Sequence, residues 1–239
     1  MEMSDELYRA VEATQAFLHK DGAPGALTRL IRRRYPSGRY FLEADRRILE
    51  AHGLARLDAY YYTMIPALTR TCLSQQWGGS PRLDTLDRAC GYVRTLYTGI
   101  HVECFYLILL DRRGCLIRSA LLQRGAVDSA PFYLAQVLSI ALQEKAGFLI
   151  LAHNHPRGTR QASREDLLCT LRALNALTPL RISLLDHLIL AGEQVGSIRR
   201  SGEIPEMLWT AAGGGSAVAE NWLKEKFDHS CDIAKNREN

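Results

Sequence analysis

Hydrophobic and polar positions divide the chain into an N-terminal part with a helical period and a central part in which strands and helices alternate. Up to about residue 75, apolar residues recur at helical spacing, as Leu7 and Val11 do, and this pattern predicts several helices. A segment rich in glycine follows at 77–81 and predicts a linker. We therefore expect a small all-α N-terminal domain over residues 1–80.

After Gly99 the hydrophobic period shortens to that of strands. Two apolar runs at 104–110 and 115–123 flank a turn at 111–114, and together they predict a β-hairpin. The segments that follow are predicted as a helix over 130–145, a buried strand over 148–152, an amphipathic helix over 163–177, and strands over 182–190 and 195–199. The order β-β-α-β-α-β-β predicts a mixed α/β domain with a central sheet.

The C-terminal part is more polar and less regular. Glycines cluster at 213–216, and we expect a flexible tail over 206–239 that contains a short helix at 219–227.

Composition indicates a folded protein without a strong charge. Hydrophobic residues make up 47% of the 239 positions, so a packed core can form, and a net charge of +4 does not by itself indicate a nucleic-acid partner. The six cysteines form no Cys-x-x-Cys pair, which argues against a thiolate metal site. Because the acidic N-terminal residues do not resemble a signal peptide and no long apolar run occurs, we expect a cytoplasmic protein without a membrane partner.

The chemistry of the chain is concentrated between His153 and Asp166. Side chains alternate between the faces of a strand, so His153 and His155 point the same way, and Pro156 favours extended backbone at His155. Asp166, in the first turn of the next predicted helix, can supply a third ligand if the intervening loop returns to the strand end. Catalytic zinc takes three such ligands and keeps a fourth position for water, so we expect one Zn²⁺ per chain.

Hydrolysis by a zinc-bound water also needs a general base and a donor to the oxyanion. Glu103, a carboxylate that opens an apolar strand, is the candidate base, and Ser163 is the candidate donor. Both have a structural alternative: Ser163 and Asp166 also form a helix cap, and Glu103 also suits a solvated strand end. Asp186 and His187 lie inside a predicted strand, where we favour a structural role or a role beside the metal ligands.

The spacing of histidines, serine and aspartate from His153 to Asp166, with an upstream glutamate, resembles the signature of the JAB/MPN (JAMM) metalloprotease family. The segments 151–158 and 185–189 are more narrowly similar to bacterial RadC proteins, and the resemblance covers residues 85–205 in a divergent form. It implies a JAB/MPN-like, cytidine-deaminase-like fold, in which a central sheet is flanked by helices. It also implies a zinc-dependent peptidase or isopeptidase whose substrate is a peptide or an isopeptide-linked protein.

The resemblance also assigns a role to each candidate residue. It implies that His153, His155 and Asp166 are the zinc ligands. It further implies that Glu103 is the general acid and base and that Ser163 is the oxyanion partner.

RadC proteins also carry an N-terminal helix-hairpin-helix, in which glycine N–H groups contact a DNA phosphate. Gly53 stands at the first glycine position of this hairpin, but an alanine replaces the second glycine, and alanine does not readily adopt positive φ. Arg32, Arg33 and Arg34 are further candidates for DNA contacts, with a solvated helix face as the alternative. The alternative function is therefore a DNA-binding module of repair or replication with a structural or vestigial zinc site, and a third is a non-catalytic interaction scaffold.

Overall fold

By its internal contacts the chain divides into two units. The computed structural model describes residues 5–18, 25–35, 38–42, 44–100, 102–125, 130–156, 158–210 and 217–224. The first unit comprises Met1–Cys72 with Thr98–His101, and the second comprises Leu73–Tyr97 with Val102–Asn239. Within the described ranges, no helix combines the length and the apolar character needed to cross a membrane.

The first unit is helical, as its hydrophobic period predicts. Its helices are α1 (Asp5–Leu18), α2 (Ala26–Arg34), α3 (Gly38–Leu42), α4 (Arg46–Ala51) and α5 (Arg56–Gln76), the last of which continues into the second unit. The core is built around Ile31, Phe41, Leu49 and Tyr62, and the rings of Phe41 and Tyr62 meet edge to face at 5.0 Å. The short α3 was not predicted, because the proline and glycine around it indicate a break.

The segment at 77–81 differs from the expected linker, because it is bonded into the second unit. The indole of Trp77 donates to the Thr95 hydroxyl at 3.1 Å and packs against the ring of Tyr92. Ser80 donates its hydroxyl to the carbonyl of Leu116 at 2.7 Å. These partners lie far along the chain, so a local glycine signal could not reveal them.

The second unit is a mixed α/β domain, as predicted. Its strands form one five-stranded sheet in the order β2-β1-β3-β4-β5, in which only β3 and β4 are parallel. The strands are β1 (Cys104–Leu110), β2 (Leu116–Arg124), β3 (Phe148–Asn154), β4 (Ser183–Ala191) and β5 (Gln194–Ser197). The helices are α6 (Leu86–Leu96), α7 (Ala130–Gln143), α8 (Arg164–Leu177), α9 (Ile198–Ser201), α10 (Glu206–Thr210) and α11 (Ala217–Lys224), and a 3-10 turn at Thr178–Leu180 follows α8.

The central strand β3 is buried along its whole length. It pairs with β1 on one side and with β4 on the other, so its run of apolar residues meets neighbours on both edges. The strand is longer than the predicted 148–152, because the ladder continues through His153 to Asn154. The first of the two histidines is therefore part of the sheet rather than of the loop beyond it.

One predicted boundary and one predicted buried position near the sheet need correction. The strand expected over 195–199 ends at Ser197, whose hydroxyl accepts from the Arg200 N–H and starts α9. The amphipathic pattern over 163–177 places Leu168 on the apolar face of α8, but its side chain is 44% exposed. Thr170, which is fully buried and lies on the opposite side of the helix from Leu168, faces the core instead.

The region expected to be a flexible tail contributes two helices in its described parts. Trp209 of α10 is buried, and so is Trp222 of α11, whose indole approaches the Asp186 carboxylate at 3.4 Å. These contacts attach both helices to the second unit. The glycine cluster at 213–216 and the residues after 224 lie outside the described residues.

Asp186 connects β4 with the elements that follow it. Its Oδ1 accepts the backbone N–H groups of His187 and Arg199 at 2.7 and 3.1 Å. Its Oδ2 accepts the hydroxyl of Ser197 at 2.5 Å and the indole N–H of Trp222 at 3.4 Å. Burial raises the pKa of this carboxyl to about 6, although the four hydrogen bonds oppose the increase.

We expect Asp186→Ala to lower the free energy of unfolding by about 3 kcal/mol, because it leaves several buried donors without an acceptor. Denaturant unfolding followed by tryptophan fluorescence measures the loss. The matched control is Asp111→Ala, which removes a side chain that accepts two backbone N–H groups in a more exposed turn, with an expected loss of about 1 kcal/mol. Equal losses in the two variants would contradict the role given to Asp186.

Candidate metal centre

The side chains of His153, His155 and Asp166 meet where β3 ends and α8 begins. The Nε2 atoms of the two histidines are 2.8 Å apart. Asp166 places Oδ1 at 3.1 Å from Nε2 of His153, and Oδ2 at 3.6 Å from Nε2 of His155. Among the described residues this is the group of histidine, cysteine and acidic side chains that could hold a metal ion.

Strand geometry explains how β3 presents its two histidines. His153 lies inside the sheet, opposite Phe105 on β1, and the two rings are stacked at 5.8 Å. Asn154 points the other way and bonds twice to the start of β1: it accepts the N–H of Cys104 at 2.7 Å and donates to the carbonyl of Val102 at 3.1 Å. Alternation therefore separates the ligands from a side chain that fixes the neighbouring chain.

The cap of α8 positions Asp166. The Ser163 hydroxyl accepts the N–H of Asp166 at 3.1 Å, and Asp166 Oδ2 accepts the N–H and the hydroxyl of Ser163 at 2.8 and 2.7 Å. This is a complete capping box. The structural alternative for Ser163 and Asp166 is therefore realised, and it is compatible with metal binding because Oδ1 still faces His153.

Charges around the site favour a cation. Burial raises the pKa of Asp166, but the imidazoles of His153 and His155 beside its carboxylate outweigh this effect and hold the pKa well below its ordinary value. The hydrogen bond that His155 donates to the Asp166 carboxylate raises the pKa of His155; burial opposes the increase, while the carbonyl of Thr159 and the charge of Glu103 add to it. Asp166 is thus an ionised ligand at neutral pH.

Glu103 lies immediately before β1 and is exposed. Its carbonyl accepts the N–H of Gly125 at 2.7 Å, which fixes the backbone at this point. The negative charge of its carboxylate helps to raise the pKa of His155, so Glu103 acts electrostatically on one residue of the candidate metal site. The structure thus brings Glu103 into electrostatic range of the site, and its role as a base stays a prediction.

A second layer of buried side chains stands behind His153. Nδ1 of His153 is 2.9 Å from Nε2 of His187, and Nδ1 of His187 is 2.7 Å from the hydroxyl of Thr170. Burial, followed by the charge of His153, lowers the pKa of His187 well below its ordinary value, so this imidazole is neutral. The sequence indicated His187 as a neighbour of the ligands but missed Thr170, whose only signal is a position four residues after Asp166 in an amphipathic helix.

The candidates for DNA contacts belong to the first unit, whereas the metal ligands belong to the second. Gly53 has a φ of 100°, and its N–H donates to the carbonyl of Glu50 at 2.9 Å. Arg32 places its guanidinium over the ring of Tyr8 at 3.9 Å, while the two arginines that follow it are exposed. The N–H of Gly53 is thus engaged within the turn between α4 and α5, and DNA contact stays a prediction.

The donor set fits a divalent metal ion. Two imidazole nitrogens and one carboxylate oxygen are ligands that zinc and neighbouring divalent metals accept. The side chains of His155 and Asp166 are 21% and 15% exposed, so the site opens to solvent on one side. A metal held there would keep a position for water or substrate.

Comparison with known proteins agrees with this fold. The family described as "RadC-like JAB domain" matches residues 83–203. A UPF0758 protein of Neisseria meningitidis serogroup C is 32% identical over 153 residues, which are 64% of this chain and 68% of that protein. A UPF0758 protein of Cupriavidus pinatubonensis is 31% identical over 180 residues, 75% of each chain. The fold and the site therefore define a JAB-type domain, and the chain belongs to the RadC-like JAB domain family.

We expect Asp166→Ala to reduce metal affinity by at least about 100-fold, because it removes the only carboxylate of the three-residue group. Equilibrium dialysis followed by elemental analysis of metal per chain measures the loss. Glu165→Ala is the matched control, since Glu165 is an exposed carboxylate beside Asp166 and outside the ligand group. Retention of metal by Asp166→Ala would remove this residue from the ligand set.

Proposed function

We propose that this protein is a zinc-dependent metallohydrolase that cleaves a peptide or isopeptide bond. The observation that carries the proposal is the convergence of His153, His155 and Asp166 beside the end of the central strand, where the site opens to solvent, in a RadC-like JAB domain. The names of the relatives state no activity, so the proposal rests on the site.

The ligand residues define what a bound metal would contribute. His153, His155 and Asp166 would hold a zinc ion, which supplies a Lewis acid for a substrate carbonyl and lowers the pKa of water. Glu103 would accept the proton of the attacking water and deliver it to the leaving amine. The hydroxyl of the exposed Ser163, which donates to Asp166 Oδ2 in this structure, would turn its proton to the oxyanion that forms on the substrate.

The two side-chain hydrogen bonds of Asn154 support the assignment of Glu103 as the general base. Asn154 lies between the two histidines in sequence and bonds to the backbone of Val102 and Cys104, the two neighbours of Glu103. The same strand end thus carries the two histidines of the candidate metal site and fixes the backbone on both sides of the proposed base. A base needs such fixed geometry, because proton transfer depends on a short distance to the reacting water.

We expect Glu103→Gln to keep the metal and to lower kcat/KM by at least about 100-fold, because the amide cannot accept the proton. The measurement uses a panel of fluorogenic peptides and conjugates linked through a lysine side-chain amine. Glu165→Gln, which removes an equal charge close to the site, is expected to retain activity.

Two results would count against the hydrolase. Unchanged cleavage by Glu103→Gln would refute the choice of base. Failure of the metal-loaded protein to cleave any member of the panel would count against hydrolysis itself.

The second candidate function is DNA binding by the first unit, favoured by the exposed basic end of α2. We expect the double variant Arg33→Ala/Arg34→Ala to weaken binding to duplex DNA and to reduce the dependence of binding on salt, because each phosphate contact releases counterions. Arg9→Ala, an exposed arginine of α1, is the control. Absence of salt-dependent binding by the unaltered protein would eliminate this candidate.

A further inference from the structure

A chain of hydrogen bonds leads from the backbone of α8 to the ligand His153, and its direction can be deduced. The hydroxyl of Thr170 lies 2.6 Å from the carbonyl oxygen of Asp166 and 2.7 Å from Nδ1 of His187. A carbonyl oxygen only accepts, so the single hydroxyl proton of Thr170 is used in that bond. The Thr170 oxygen must then accept, and Nδ1 of His187 must carry a proton.

Because these side chains are buried, the proton on Nδ1 of His187 also determines the hydrogen bond to the ring of His153. Thr170 and His187 are both fully buried and His153 is 1% exposed, so water cannot substitute for a missing partner. A neutral imidazole carries one proton, so Nε2 of His187 has a lone pair. Nδ1 of His153, at 2.9 Å, must therefore donate to it.

The constraint ends at the atom that a metal would bind. With the proton of His153 on Nδ1, the lone pair of its neutral form is on Nε2, the atom that faces His155 and Asp166. The opposite tautomer would place the proton on Nε2 of His153, and this atom could then not bind a metal. The position of one hydroxyl proton on Thr170 thus selects the form of His153 that can bind metal.

His155 shows why Thr170 is needed. Nδ1 of His155 lies 2.7 Å from the carbonyl of Thr159, which can only accept, so this ligand is oriented without further help. His153 instead faces another imidazole, which can either donate or accept. Among the described residues, the contact with Thr170 decides between these two options for His187.

We infer that Thr170 and His187 are positioning residues of the metal site, which fix the tautomer of His153 through the chain from Asp166 O to Thr170, His187 and His153. This inference rests on the metal site of the proposed function but not on hydrolysis.

The first test is the tautomer itself. Nitrogen-15 NMR of histidine-labelled, metal-free protein is expected to show His187 protonated at Nδ1. Thr170→Val, which has the same shape without the hydroxyl, is expected to shift His187 towards protonation at Nε2, and Thr170→Ser is expected to restore the unaltered pattern. Protonation of His187 at Nε2 in the unaltered protein would overturn the inference.

The second test is metal affinity, measured by competition of zinc with a chromophoric chelator. We expect Thr170→Val and His187→Leu to weaken zinc binding by about 10-fold or more, and Thr170→Ser and His187→Gln to remain within about 3-fold of the unaltered protein. Thermal unfolding of the metal-free variants shows whether each is folded. Folded Thr170→Val with unaltered zinc affinity would reduce Thr170 to a packing role and overturn the inference.

These readouts separate the two proposals. Loss of zinc affinity in Thr170→Val, with no cleavage by any form of the protein, would support the positioning residues and count against the hydrolase. Normal zinc affinity in Thr170→Val, together with cleavage that depends on Glu103, would support the hydrolase and count against the positioning residues.

Discussion

The pairing of β3 between β1 and β4 is the constraint on which the site depends. This register sets His153 opposite Phe105 on one side and Ile189 on the other, inside the sheet. A slip of one residue would turn every side chain of the strand to the opposite face, and both histidines would lose Asp166. The apolar run that buries β3 therefore also determines which way the polar end of the strand points.

Burial of polar side chains at this strand end makes stability and function depend on the same bonds. Unpartnered polar groups in a core are costly, so the buried histidines and threonine must satisfy one another. Neighbouring residues on β4 bond to groups on opposite faces of the sheet, because successive side chains alternate between faces. Asp186 bonds to Ser197, Arg199 and Trp222 on one side, while His187 bonds to His153 on the other.

Much of the site could be predicted because its signals are local. The alternation of β3 and the cap of α8 are both readable from His153 to Asp166, and the order of elements predicted the mixed sheet. The features that were missed depend on distant partners. Thr170 gains its role only because the parallel pairing of β3 with β4 brings His187 to it, and Trp77 is held by contacts beyond the glycines that follow it.

The dual use of Asp166 explains how a short loop can complete a metal centre. A carboxylate at the third position of a helix stabilises the helix whether or not a metal is present, through its bonds to Ser163 and the dipole of α8. Its rotamer is therefore fixed by folding, so little side-chain entropy is lost when a cation arrives. The same preorganisation holds for His153, whose ring is fixed by Phe105 and His187. A metal that binds at this strand end would therefore be held by side chains that hydrogen bonds and packing of the fold already orient.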